Sequence, residues 1–144
     1  MIPRYTRPDM GRIWSEENRF RNWLKVEIAA TETLAEAGMV PKQAAKAIRE
    51  KADFKLERIH AIEDEVRHDV IAFTTAVAEF VGPESRWFHY GLTSNDVVDT
   101  AQALLIAQAS AIIAQDLDRL AEVLKRRAWE FKDTPQVGRT HGVH

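Results

Sequence analysis

From Ser94 to about Phe131 the chain contains neither glycine nor proline, and alanine and leucine dominate. Those two absent residues are the ones that most readily interrupt a helix, so the stretch predicts one uninterrupted helix. At about 1.5 Å per residue it would exceed ~50 Å, far longer than the average helix of a globular domain. Around Leu104-Leu105-Ile106-Ala107 and Ala111-Ile112-Ile113-Ala114 the apolar residues go most of the way round it, the pattern of a helix enclosed by several others. The rest of a chain of 144 residues offers too few helical segments to supply that cover. Partner helices are therefore expected from sequence outside this chain or from other subunits. The expected fold class is all-α: an N-terminal helical domain over 1–93, then over 94–144 the first long helix of a multi-helix bundle.

The remaining elements read as helices too. Phe20, Trp23, Leu24, Ile28 and Leu34 recur at helical spacing between Ser15, placed to cap, and Gly38, placed to stop the helix. Pro41 suits the first turn of a short helix through about Lys51. Leu56, Ile59, Ile62, Val66, Val70, Phe73, Val77 and Phe80 sustain the same period up to Gly82-Pro83. Within that run Arg67-His68-Asp69 marks either a break or a solvated face. Residues 83–93, with Trp87, Phe88, His89 and Gly91, read as an irregular connection.

Composition removes several function classes. Twenty Lys and Arg against 22 Asp and Glu give a net charge of -2, so no overall field favours a nucleic acid. With no cysteine, disulfides, thiolate zinc sites and a cysteine nucleophile are excluded, and a cytoplasmic protein is expected. The N-terminus lacks the apolar stretch of a signal peptide, and the run Leu104 to Ala114 is too short for a bilayer. No membrane role is expected.

Several clusters offer chemistry. Thr93-Ser94-Asn95-Asp96 stands where the connection meets the long helix. Thr93 or Ser94 can cap it, or free N–H groups, two hydroxyls and the positive helix end together can bind a carboxylate; Gly91 would let the backbone approach a ligand. Arg67, His68 and Asp69 combine a fixed cation, an imidazole and a carboxylate able to orient it, although a solvated face explains the same letters. Arg139-Thr140-His141-Gly142-Val143-His144 follows Pro135 and reads as a turn. His141 and His144 form at most a weak metal pair, whereas a general acid or base needs no such partner. His60 reads as a surface or packing residue. Arg4, Tyr5, Arg7 and Arg12 form either a mobile basic tail or a phosphate clamp.

Four runs, in this order and separated by matching helices, carry a resemblance over essentially the whole chain: Arg4-Tyr5; Arg67-His68-Asp69-Val70; His89-Tyr90-Gly91-Leu92-Thr93-Ser94-Asn95-Asp96-Val97-Val98-Asp99-Thr100; and Gln136-Val137-Gly138-Arg139-Thr140-His141. Together they resemble the fumarase and aspartase superfamily. His-Tyr-Gly-Leu before the Thr-Ser-Asn-Asp core and Val-Val-Asp-Thr after it favour its adenylosuccinate lyase branch. The resemblance implies elimination of fumarate from adenylosuccinate to give AMP, and from the related succinyl-carboxamide ribotide, in purine biosynthesis. It implies no metal or organic cofactor, a small nucleotide substrate and a homotetramer whose active sites draw on three subunits. Residue by residue, it implies that Arg4 and Tyr5 meet the nucleotide phosphate, that Arg67, His68 and Asp69 line the substrate site, and that Thr93 and Ser94 hold the succinyl carboxylate. His141 becomes the general acid for the leaving nitrogen, His68 shares the catalytic work, and Thr140 and His89 contribute beside them. Nothing is implied for His144.

Those residue types suit the reaction. Removing a poorly acidic proton beside a carboxylate leaves a dianionic carbanion that fixed donors such as a helix N-terminus stabilise, and the departing nitrogen needs a proton from a group titrating near neutrality. The superfamily's base resembles a serine on a Gly- and Ser-containing loop with a Met-Pro-Lys-Asn type of signature. No such stretch occurs here, so this chain is expected to be the N-terminal part of the enzyme and inactive alone. Other readings are a related lyase or cycloisomerase, such as an argininosuccinate lyase or a carboxymuconate cycloisomerase, and a non-catalytic helical interaction module. The last gives no reason for the histidine and Thr-Ser motifs.

Overall fold

The computed structural model describes residues 2–143; His144 lies outside them. In order, the chain forms a 3-10 turn at Pro3–Tyr5, helices α1 (Pro8–Ile13), α2 (Glu16–Glu36), α3 (Lys42–Lys51), α4 (Leu56–Val66) and α5 (Asp69–Val81), a second 3-10 segment at Gly82–Trp87, and α6 (Ser94–Glu130). No strand is present among the described residues, and the all-α expectation holds.

Local chemistry sets most boundaries. The Ser15 hydroxyl accepts the Asn18 backbone N–H at 3.2 Å, opening α2 with Glu16 and Glu17 in its first turn, and Gly38 at φ +76° takes the left-handed conformation that ends it. Pro41 is the extended residue that precedes α3. The ambiguous Arg67-His68-Asp69 is a break: Arg67 adopts the left-handed conformation (φ 55°, ψ 36°) that terminates α4, and extended His68 caps α5. The chain start differs from a mobile tail. Pro8 begins α1, and Arg12 pairs with Asp9 at 2.6 Å.

By its contacts the chain divides into two units, 1–109 and 110–144. In the first, Phe73 of α5 is the centre of an aromatic cluster. It stacks on Phe20 (5.6 Å between centroids) and meets Trp23, Phe54 and Phe88 at 5.5, 6.0 and 6.2 Å. Ile48, Ile59, Val70, Val77 and Val97 extend this core. The first half of α6 buries a narrow stripe, Val97, Ala101, Leu105 and Ala109. Its register is held by polar contacts: Gln108 donates to Asn22 Oδ1 at 3.0 Å and accepts from Asn18 Nδ2 at 3.1 Å.

In the second unit the remainder of α6 exposes Ile113, Leu117, Leu120 and Leu124, residues three or four apart and therefore on one face. Past Phe131 the chain reaches a tight turn in which Thr140 and Val143 exchange backbone hydrogen bonds of 3.0 and 2.9 Å.

One expectation needs correcting. The apolar run is longer than Leu104 to Ala114, because α6 contains an 18-residue window of mean hydropathy 1.6 and is long and apolar enough to cross a membrane by length and composition. A core helix passes the same test, and the stripe and the Gln108 bonds fasten the first half of α6 to protein.

Phe73 is fully buried, and removing a large core aromatic costs about 3–5 kcal/mol. Phe73→Ala is expected to lose stability of that order in urea unfolding of the chain followed by circular dichroism. A loss below roughly 1 kcal/mol would mean that the cluster is not the organising core.

Candidate active site

The first 3-10 turn, the helix break, the connection and the N-terminus of α6 carry the candidate residues of the first unit. At the break, His68 accepts the Ile71 backbone N–H through Nδ1 (3.4 Å), and Asp69 accepts the Val70 N–H (2.8 Å). His68 Nδ1 lies 3.6 Å from Asp69 Oδ1. Both side chains therefore do capping work while standing half open to solvent. Arg67 is exposed, 3.7 Å from Asp64, and lines a groove of about 350 Å³ with His60, Glu63 and Asp64. His60 itself pairs with Glu16 at 3.0 Å, joining α4 to α2, in line with a packing role.

The connection is pinned at several points. Phe88 enters the aromatic cluster, Leu92 packs against the same core, and Tyr90 meets Trp87 edge-on at 5.2 Å. His89 has φ +63° and Gly91 φ +76°; for a residue with a side chain the left-handed region is uncommon. His89 Nδ1 lies 2.6 Å from Glu27 Oε1 of α2. Glu27 is fully buried, and the His89 side chain is 19 % exposed. Burial pushes the Glu27 carboxyl above its ordinary value, while the hydrogen bond and charge of His89 pull it back down. His89 also lines a groove of about 530 Å³ with Thr74, Thr75, Ser85, Arg86 and Tyr90.

At the start of α6 the cap is neither Ser94 nor a free hydroxyl. Asp96 reaches back so that its Oδ2 accepts both the Thr93 backbone N–H (2.7 Å) and the Thr93 hydroxyl (3.0 Å), one half of a capping box. These bonds hold the Asp96 carboxyl below its usual range, and His89 adds a weaker attraction. Ser94 is the first helical residue, and its hydroxyl has no hydrogen-bond partner among the described residues.

Arg4 and Tyr5 occupy the first 3-10 turn, the guanidinium 4.7 Å from the Tyr5 ring centroid and the ring 73 % exposed. Thr140 and His141 belong to the second unit. His141 and Gly142 are consecutive residues with positive φ, 50° and 78°, at the two central positions of the turn closed by Thr140 and Val143, the signature of a type I′ turn. The Thr140 hydroxyl lies 2.9 Å from His141 Nδ1. Within the first unit, His89 lines its groove with Tyr90 and Gly91, Arg67 lines a groove of its own, and among the described residues no hydrogen bond or ion pair joins Arg4 or Tyr5 to either group.

Two participants escaped the sequence reading, Glu27 and Asp96. Glu27 had a signal: it falls on the stripe Phe20, Trp23, Leu24, Thr31 that α2 buries, and a carboxylate on an apolar stripe needs a partner. Asp96 was quoted within its motif but not assigned the cap.

An all-helical chain with a hydroxyl-bearing helix start and histidines on its connections is what a helical lyase provides, and the profile of the lyase family matches residues 4–144. The chain belongs to that family. Over all of its length it is 54% identical to the adenylosuccinate lyase of Bacillus subtilis (strain 168) and 56% identical to that of Streptococcus mutans serotype c. It spans 33% of the length of each of these curated relatives. Its structure also matches a fumarate lyase from Mesorhizobium sp. BNC1 with a TM-score of 0.84 and 27% identity, covering 94% of this chain and 33% of that one. A 3-carboxy-cis,cis-muconate lactonizing enzyme from Pseudomonas putida matches at 0.85 and 31%, covering 96% and 33%.

Asp96 supplies a testable pH dependence. Its carboxyl titrates lower in the folded chain than its ordinary 3.8, so its contribution to stability is present above that value and is lost as pH falls through the depressed one. Asp96→Asn is expected to lower the melting temperature at neutral pH, with the difference from the unaltered chain shrinking as the solution is acidified below 3.8. A gap independent of pH would show that the carboxylate charge is irrelevant to the cap.

Proposed function

We propose that this chain supplies one third of an adenylosuccinate lyase, which eliminates fumarate from adenylosuccinate to leave AMP and acts likewise on the succinyl-carboxamide ribotide, in the purine route of the cytoplasm. The observation that carries this reading is the identity of 54–56% with curated adenylosuccinate lyases along the entire chain, reinforced by a His89-to-Asp96 segment tied to α2 through the His89 ring and closed at Thr93 by Asp96.

In this reading Thr93 and Ser94 receive the succinyl carboxylate at the positive end of α6. Arg4 and Tyr5 receive the phosphate, and Arg67, His68 and Asp69 line the substrate site. His141 gives its proton to the departing nitrogen, with Thr140 beside it and His89 and His68 assisting. The base that takes the carbon-bound proton is supplied by sequence beyond these residues. The functional division falls at Thr93–Ser94, where the anion-binding end of the bundle begins. The exposed face Ile113, Leu117, Leu120, Leu124 suits helices of further sequence and of other subunits, as a homotetramer would provide. Neither metal nor organic cofactor takes part, and no nucleic acid or membrane is a partner.

A chimera tests the proposal: residues 1–144 replace the matching third of the Bacillus subtilis relative, and conversion of adenylosuccinate to AMP and fumarate is followed by ultraviolet absorbance. The chimera is expected to turn over, and His141→Asn within it to lose roughly 10²–10⁴-fold in kcat while AMP binding survives. Asparagine tolerates positive φ, so a folded variant isolates the proton transfer. An inactive chimera that assembles correctly would count against the proposed activity, and near-normal turnover by His141→Asn would remove that residue from the acid role. Replacing Thr93 and Ser94 together by alanine is expected to weaken fumarate binding far more than it lowers the melting temperature; the reverse pattern would leave them a helix cap only.

A further inference from the structure

Glu27 stands where α2 turns its apolar stripe into the core, between Leu24 and Thr31, and is fully buried. Among the described residues the carboxylate has one hydrogen-bond partner, His89; its other oxygen, Oε2, is buried and bonds to nothing. An isolated carboxylate in such a place costs several kcal/mol in general, and an apolar residue of similar volume is usually as good or better for stability. Packing therefore gives no reason for a glutamate here.

The reason lies on the other side of the contact. His89 sits on the connection that leads into Thr93, its backbone is left-handed, and its ring is mostly covered yet borders the groove formed with Thr74, Thr75, Ser85, Arg86 and Tyr90. A neutral imidazole has two tautomers, and the partner of one nitrogen decides which nitrogen carries the proton. A carboxylate accepts and does not donate, so an ionised Glu27 requires the proton on Nδ1. That leaves Nε2, on the opposite edge of the ring, as the nitrogen free to meet a ligand. Arg86 borders the same groove from the second 3-10 segment.

We propose that Glu27 is a positioning residue for His89: the buried carboxylate fixes the imidazole in its Nδ1–H tautomer, so that Nε2 is presented to the groove as the atom that accepts a proton or, once protonated, donates to an anionic oxygen of the substrate. The arrangement is a carboxylate–imidazole couple of the kind in which a buried acid orients a working histidine. The tautomer assignment rests on the contact together with an ionised Glu27. Its use in the reaction rests on the proposed lyase function.

The test is made on the chain itself, labelled with nitrogen-15, by long-range proton–nitrogen correlation of the histidine rings, with His89→Gln identifying the His89 signals. Neutral His89 is expected in the Nδ1–H form, the reverse of the preference of a free histidine side chain, and Glu27→Met is expected to return it to the Nε2–H form with the melting temperature unchanged or raised. An Nε2–H tautomer in the unaltered chain, or a tautomer indifferent to Glu27→Met, would overturn the proposal. If Glu27→Met does not fold, the tautomer of the unaltered chain and the near-isosteric Glu27→Gln decide it, since the amide can also donate to Nδ1 and is expected to mix the two forms. In the active chimera, Glu27→Met should reduce kcat/KM about tenfold or more, and unchanged turnover alongside a lost tautomer would reduce Glu27 to a packing residue. An inactive chimera would count against the lyase reading, while the ring spectra of the chain would still decide the positioning.

Discussion

The packing of Phe73 against Phe20, Trp23, Phe54 and Phe88 is the constraint on which the first unit depends. Aromatic side chains remove the most apolar area from water per residue and prefer offset or edge-to-face contact, so one ring of α5 can gather α2, the segment before α4 and the connection at once. Phe88 is the consequential member. It adjoins His89, and through it the hydrophobic interior fixes the start of an otherwise irregular connection. The chemistry-bearing residues inherit their positions from that anchor: His89 turns back to Glu27, and four residues later the backbone arrives at Thr93 to begin α6.

Polar groups add the precision that aromatic packing lacks. Hydrophobic contact tolerates sliding, whereas the bonds of Gln108 with Asn18 and Asn22 are satisfied in one register of α6 against α2. The register of α6 in turn sets where its N-terminus lies relative to the connection. A buried carboxylate and a strained histidine sit between these two fixed points, the expected location for features that stability alone does not favour.

Much of this was legible in the residues. Helical periods, Ser15 as cap, Gly38 as stop and the uninterrupted run from Ser94 defined the helices, because each is a local signal with a local cause. The Arg67-His68-Asp69 break was not decidable, since its polar letters fit a solvated face equally well and only the left-handed conformation of Arg67 separates the cases. Helix α1 was missed because the arginines around it read as a mobile basic tail or a phosphate clamp, although Pro8 is at home in a first turn. At the site, the motif resemblance named His89 and Thr93, but Glu27 lies 62 residues away from His89 in sequence, and no short motif spans that distance. Asp96 was in view, yet which of several hydroxyls and carboxylates closes a helix end is a matter of rotamers.

The bond between Asp96 and Thr93 gives the start of α6 a further property. Both donors of Thr93 already hold a carboxylate, one belonging to the protein. A carboxylate ligand using the same two donors would enter by substitution rather than addition: the incumbent would have to swing aside, and the number of hydrogen bonds at Thr93 would be nearly conserved. Binding strength would then depend on the difference between two similar anions. A tethered acid of this kind would compete with any such ligand, at a concentration fixed by the chain itself rather than by the solution.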